Sequence, residues 1–144
     1  MSQDTAFPPA ETLSLSERVR RGELFAADCP SRAVLRHVTG RWSVLVLLAL
    51  MSGTHRFSAL RRKVAGVSER MLAQTLQWLE ADGFVRRVSH PVVPPHVDYS
   101  LTPLGRELAP KVAALADWIE ENVGRVLEAR GARTPPQDLS LIHI

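Results

Sequence analysis

The 144-residue chain has little of several features that would place it in other classes of protein. It contains a single cysteine, Cys29, so no disulfide can form within one chain, which is typical of proteins in a reducing compartment. The longest apolar run, Val44 to Met51, is too short to cross a bilayer. Residues 1–9 lack the basic and apolar segments of a secretion signal. We therefore expect a cytoplasmic protein without a membrane partner.

The chain also lacks the common motifs of catalysis. It has no HExxH pattern, no GxSxG motif and no phosphate-binding glycine loop. The spacing between Cys29 and the histidines is not diagnostic of a metal centre. The histidines are His37, His55, His90, His96 and His143. We predict a protein that is not an enzyme and has no cofactor and no bound metal, with a metal-sensing regulator as an alternative.

Charged residues are unevenly distributed along the chain. The segments 29–55 and 56–106 carry net charges of +3 and +4, whereas 1–28 and 107–144 each carry −2. A basic middle between acidic ends indicates a surface for a polyanion, carried by the middle of the chain. A chance surface pattern is the alternative, because the excess is small.

The segment from Ser68 to Gly83 predicts one amphipathic helix. Ser68 is a suitable N-cap, and Gly83 is a natural stop after the last turn. Leu72, Leu76 and Leu79 share one face, while the opposite face holds one guanidinium, two amides and no carboxylate. Such groups hydrogen-bond base edges in a DNA major groove, although a merely solvated face would look the same. We assign base readout to Ser68, Arg70, Gln74 and Gln77.

A shorter helix and a hairpin flank this segment. Residues 56–64 predict a helix that is joined to it by a tight turn at 65–67, which makes a helix-turn-helix. Residues 84–88 and 97–101 predict a β-hairpin, because apolar and polar residues alternate in the second strand. A hairpin directly after a helix-turn-helix is a wing. We assign phosphate or wing contacts to Arg61, Arg62, Lys63, Arg86, Arg87 and His96.

A long helix is predicted from Thr102-Pro103, with a kink at Pro110 unless that proline lies in the first turn after a break. Its apolar residues recur with a period of about 3.5 and extend beyond what one small domain needs. A second copy of the chain is the simplest partner for such a stripe, so we predict a homodimer. The predicted dimer interface consists of Leu108, Val112, Leu115, Ile119 and Val126.

The N-terminal and C-terminal segments complete the predicted organisation. We expect disorder at 1–13, one winged-helix DNA-binding and dimerisation domain at 14–130, and a tail at 131–138. Within the domain, Ser14 to Glu17 is a possible capping box for a helix reaching about Phe25, and Pro30 opens a further helix. The apolar run from 41 to 51 is expected to form the core with Val34, Leu35, Val38 and Trp42. We interpret 139–144 as an adapter-derived read-through and exclude it.

Several short motifs occur in order over residues 29–127: Cys29-Pro30, Gly40-Arg41-Trp42, Arg56-Phe57-x-x-Leu60-Arg61-Arg62, Gly66-Val-Ser-Glu-Arg70-x-Leu72, Leu79-Glu80-x-Asp82-Gly83 and Val93-Pro-Pro-x-Val97-x-Tyr99-Ser-Leu-Thr102-x-x-Gly105. Together they resemble the HxlR-type regulators, a winged-helix group related to the MarR type. The resemblance implies a mainly α fold with a small β-hairpin wing and a long C-terminal dimerisation helix. It also implies a homodimeric, DNA-binding transcription factor that uses the 68–82 helix for recognition.

The chain departs from the pattern of these regulators at four positions. Thr39 stands where a second glycine is usual, His90 replaces a common aromatic residue, and Val92 replaces a common acid. His96 stands where an arginine is typical, so a permanent cation gives way to a side chain that is mostly neutral at pH 7. The resemblance therefore does not carry the usual contact of the wing tip over to this chain.

Cys29 is the candidate for control of DNA binding. A helix N-terminus lowers the pKa of a thiol, and Arg32 lies one turn further along. These features favour reaction with an oxidant or an electrophile such as a quinone, and some HxlR-type regulators use a cysteine here in that way. The alternative is a small buried core residue.

Taken together, the sequence predicts a DNA-binding regulator on an inverted repeat, with a small-molecule or electrophile effector as a possible further partner. Both repression and activation stay open. The competing interpretation is a winged-helix module used only for protein contacts.

Overall fold

The computed structural model describes residues 14, 16, 17 and 25–131, in two compact units that divide between Thr39 and Gly40. The elements are α1 (Pro30–Val38), α2 (Ser43–Leu50), β1 (His55–Arg56), α3 (Phe57–Lys63), α4 (Glu69–Ala81), β2 (Val85–His90), β3 (His96–Leu101) and α5 (Pro103–Gly131). Residues 1–13 and 132–144, with the boundaries predicted inside them, lie outside the described residues.

In the first unit, the predicted capping box at Ser14 is confirmed. The Glu17 N–H donates to Ser14 Oγ at 3.3 Å, and the Ser14 N–H donates to Glu17 Oε2 at 2.9 Å. Most of the helix predicted to follow it lies outside the described residues. Helix α1 begins as predicted, with Pro30 in the first turn after the N-cap Cys29.

Only part of the core predicted from α1 is found. Val38 is 7% exposed and belongs to the buried set, as predicted. Leu35, however, is 40% exposed, so its assignment to the core is wrong. The prediction rested on residue type, and a single exposed leucine is normal on protein surfaces because polar residues cannot cover them completely.

The core of the second unit is built around α2. Its sequence is almost entirely apolar, and Val46, Leu47 and Leu50 are buried. Helix α2 packs against α3, α4, α5 and strand β3, so most of its apolar side chains are removed from water, while Leu45 stays 44% exposed. That environment explains a helix with no polar face, which would not be stable on a surface.

A three-stranded antiparallel sheet, ordered β1-β3-β2, accompanies the helix-turn-helix of α3 and α4: β1 precedes α3, and the hairpin of β2 and β3 follows α4. The predicted hairpin is confirmed, and with α3 and α4 it forms a winged helix-turn-helix. Strand β1 was missed: Arg56 was predicted in the helix, but it pairs with Asp98 in the sheet. Two residues are too few to display the alternation that indicates a strand.

Helix α5 runs without interruption from Pro103 to Gly131, through Pro110. Thr102 precedes it as predicted, and its hydroxyl oxygen accepts a hydrogen bond from the Gly105 N–H at 3.0 Å. Among the described residues, no single helix is long and apolar enough to cross a membrane. The successive helices α1 and α2 reach that length and apolar composition only when they are counted together as one bent segment.

Gly105 is the closest packed glycine of α5. A Cβ atom there would collide with the carbonyl oxygen of Phe84 and lie 3.2 Å from Leu101 Cδ2. The Phe84 carbonyl cannot move freely, because it accepts a hydrogen bond from the Thr102 N–H at 3.0 Å. The absence of a side chain at Gly105 therefore allows α5 to start directly beside the end of α4.

We expect Gly105→Ala to destabilise the protein by about 1–3 kcal/mol, the usual cost of overpacking a tight site. Gly124→Ala is the matched control in the same helix, since nothing lies within 4 Å of its added Cβ. That control is expected to be neutral or to stabilise by up to about 1 kcal/mol through helix propensity. Urea unfolding measures both, and equal stability of the two variants would contradict the packing argument.

Candidate nucleic-acid interface

Helix α4 is held rigidly by its ends and its apolar face. The Met71 N–H donates to Ser68 Oγ at 3.1 Å, so Ser68 is the predicted N-cap. Leu72, Leu76 and Leu79 are at most 1% exposed, which confirms the predicted core face. A helix anchored in this way presents its remaining side chains at defined positions.

The opposite face of α4 carries the predicted base-reading residues. Arg70 and Gln77 are exposed, and Gln74 is half-buried. At about 1.5 Å of rise per residue, Arg70 and Gln77 lie about 10 Å apart along the axis, roughly three base pairs of B-DNA. One guanidinium and two amides along that length suit hydrogen bonding to the edges of successive bases.

Two apolar side chains border this polar face. Met71 is 39% exposed and Trp78 is 38% exposed. They are seven residues apart and so lie along the same side of the helix. Apolar side chains in a major groove contact the thymine methyl group. The sequence analysis missed this pair, although their spacing relative to the buried leucines already places them off the core face.

The basic residues of α3 differ in their surroundings. Arg61 Nη1 lies 3.6 Å from Glu69 Oε2, at the start of α4. Lys63 Nζ donates to Ser52 Oγ at 3.0 Å and lies 3.4 Å from His55 Nε2. Arg62 is exposed, and no such interaction with it is found among the described residues. Of these three cations, Arg62 is therefore the most available to a phosphate.

The wing arginines lie on opposite faces of the hairpin. Arg87 pairs with Tyr99 on the face that packs on α4, and Arg86 pairs with Ser100 on the outer face. A groove of about 430 Å³ runs between α4 and the wing and brings Arg87 to the same surface as Gln77. The residues that line it are Ala73, Leu76, Gln77, Glu80, Arg87 and Tyr99.

His96 directly follows the loop 91–95 that forms the tip of the wing. It is the first residue of β3, and its ring stacks on that of His90 with the centroids 4.6 Å apart. His90 Nε2 in turn lies 2.9 Å from Asp98 Oδ2. The assignment of His96 to phosphate contact stays a prediction, but its ring already has protein neighbours.

Cys29 is the N-cap of α1, as predicted, and it is 8% exposed. Arg32, expected to assist thiolate formation, donates instead from Nη1 to the Phe25 carbonyl at 2.8 Å. Burial disfavours a thiolate and limits access, whereas a helix N-terminus favours one. The two effects oppose each other at this residue.

The predicted interface stripe on α5 divides into two parts. Val112 is 7% exposed, so it belongs to the core of its own chain and contributes little surface to a partner. Leu108 is half-buried. Leu115, Ile119 and Val126 are between 40% and 52% exposed. The same region exposes three further apolar residues that the sequence analysis missed: Trp118, Val123 and Leu127.

Comparisons with known proteins agree with this geometry. A family model described as HxlR-like helix-turn-helix matches residues 37–126. The HTH-type transcriptional regulator YtfH of Escherichia coli K12 is 64% identical over 121 residues, which cover 84% of this chain and 96% of that protein.

Two solved structures extend the comparison. The transcriptional regulator ytfH from Salmonella typhimurium is 69% identical, with a TM-score of 0.73 over 75% of this chain and 96% of that one. The redox regulator HypR in its oxidized form is 39% identical, with a TM-score of 0.60 over 65% of this chain and 97% of that one. Its reduced form aligns with a TM-score of 0.62, over 69% of this chain and 98% of that one.

Proposed function

The chain belongs to the HxlR-like helix-turn-helix family of transcriptional regulators, and from that premise we propose that it binds DNA sequence-specifically as a homodimer on an inverted repeat. The observation that carries the proposal is the exposed face of α4. Arg70, Gln74 and Gln77 lie opposite three fully buried leucines and have no carboxylate among them.

Phosphate contacts on both sides would hold α4 in a major groove. Arg62 is exposed on α3, and Arg87 lies across the groove between the wing and α4. Contacts of this kind set the register of a protein on DNA and contribute affinity for every sequence. Base discrimination would then come from α4, because amides and a guanidinium can pair with particular base edges.

Dimerisation would use the distal half of α5. On the proximal half, Ala109 and Val112 face the core of their own chain. The same side of the helix continues with Ile119, Val123 and Val126, which are exposed. An apolar helix face that extends beyond the core of its own chain is stable in water only when a partner covers it. A twofold dimer would place two α4 helices about 34 Å apart, one turn of DNA.

Control through Cys29 is supported by likeness to a redox regulator, HypR, whose oxidized and reduced forms both align with this chain. With a single cysteine, oxidation cannot close a ring within one chain. It would form a disulfide between two subunits or a mixed disulfide with a small thiol, and an electrophile would form an adduct. Each product adds bulk at a residue that is now 8% exposed.

Arg70→Ala is expected to lose about 1–3 kcal/mol of affinity for an operator selected from a random DNA pool, and to lose preference for one base at one position per half-site.

Arg62→Ala should weaken binding to operator and scrambled DNA alike. It should also lower by about one the slope of log affinity against log salt concentration. Arg130→Ala, in the last turn of α5, is the matched control and should change neither. A wild-type protein that binds operator and scrambled DNA equally would refute sequence-specific recognition.

Ile119→Glu is expected to give a folded monomer, since two buried carboxylates facing one another across the interface are strongly unfavourable. Ala114→Glu introduces the same group at an exposed position on the opposite side of α5 and should leave the dimer intact. Light scattering at micromolar concentration measures the mass, and circular dichroism reports folding. A folded wild-type monomer would rule out the dimer.

A quinone or peroxide is expected to weaken operator binding by the wild type and to leave Cys29→Ser unaffected. The reason is that a dimer can bind both half-sites at once only when its two α4 helices are the right distance apart. A modification that changes this distance leaves only one half-site bound, and the avidity of the dimer is lost. Band-shift titration with mass spectrometry of the thiol measures both events. If the modified wild type binds as before, Cys29 has a structural role. DNA binding would then be controlled by an uncharged ligand, and the apolar groove of about 450 Å³ between α2 and α3 is one candidate site for it among the described residues.

A further inference from the structure

The end of the wing next to its connecting loop 91–95 brings together three side chains that the base-reading face of α4 does not use. His90 ends β2 and pairs directly with His96, which begins β3. Asp98 is two residues further along β3 and therefore points to the same side of the sheet as His96. One ligand atom from each residue lies within 4.8 Å of the other two, and all three side chains are half-buried.

The chemistry of this cluster suits a transition-metal ion. Imidazole nitrogen binds Zn²⁺, Ni²⁺ and Cu²⁺, and a carboxylate completes mixed nitrogen and oxygen sites. With metal–ligand bonds of about 2.0–2.1 Å, the ligand atoms of a tetrahedral site stand about 3.3 Å apart. His90 Nε2 and Asp98 Oδ2 are already 2.9 Å apart, and small side-chain rotations would bring His96 within range.

We propose that the wing binds one divalent transition-metal ion of the zinc class through His90, His96 and Asp98. A water molecule would take the fourth position, since three protein ligands leave a tetrahedral site open. Elsewhere in the described part of the chain, no group of three possible ligands comes this close together. Cys29 is not in the cluster, so the site is separate from the proposed redox control.

Two physical effects would follow from occupation. The ion would join the last residue of β2 to the first residues of β3, across the connection 91–95, and so stabilise the hairpin at the end next to this loop. The divalent ion would also outweigh the negative charge of Asp98, so the site would become net positive. It lies on the same outer face of the sheet as Arg86 and Arg56. Those arginines repel the ion and lower its affinity, while the combined charge favours a nearby polyanion.

The test uses the untagged full chain without DNA, so its outcome does not depend on the proposed operator binding. Calorimetric titration with zinc chloride at pH 7.5 is expected to show one ion bound per chain. His96→Arg removes a ligand while introducing the residue that is typical of related wings, so this variant should fold. We expect it, and Asp98→Asn, to bind zinc at least about tenfold more weakly.

His37→Gln is the matched control, since it removes one histidine from α1, outside the cluster, and should bind zinc as the wild type does. Thermal unfolding gives a second readout, because a ligand that binds only the folded state raises the Tm. Wild-type protein that binds no zinc would overturn the proposal. So would equal affinity in wild type and His96→Arg, or an equal loss in His37→Gln, because either result would place the ion elsewhere.

Discussion

The burial of Leu72, Leu76 and Leu79 is the constraint on which the rest of the structure depends. These side chains lie against the core of the second unit and are almost completely removed from water. Each such burial contributes roughly 1.5–3 kcal/mol relative to exposure, so a rotation of α4 about its axis would be costly. The polar face is therefore held outward by the apolar face, and the positions of Arg70 and Gln77 follow from packing on the other side of the helix.

Features encoded within one turn of chain were predictable from sequence. The start of α4 at Ser68 and its end before Gly83 depend on a capping oxygen and a left-handed backbone, with φ of +85° at Gly83, and both are properties of single residues. The family and the winged helix-turn-helix were predicted from an ordered set of such local signals. The same reasoning located the exposed polar face of α4, because the helical period alone separates it from the leucines.

Features that depend on strand register were not predictable in the same way. Arg86 and Arg87 were assigned one role, yet adjacent strand residues point to opposite faces, so only Arg87 lies beside α4. The cluster of His90, His96 and Asp98 requires a particular pairing across a five-residue connection, which residue spacing leaves undetermined. Similarly, Val112 and Ile119 look equivalent in the stripe, and only the extent of the core decides which one is buried.

The junction between α4 and α5 links the two halves of the proposed function. The Thr102 N–H donates to the Phe84 carbonyl at 3.0 Å, and the Thr102 hydroxyl donates to the Gly83 carbonyl, directly after α4. Gly105 then allows the first turn of α5 to press against Phe84. The helix proposed for dimerisation is thus attached to the end of the helix proposed for recognition through backbone contacts rather than a flexible linker. Any change in the crossing of two α5 helices would be carried to the spacing of two α4 helices, which is the quantity that an inverted repeat of fixed spacing selects.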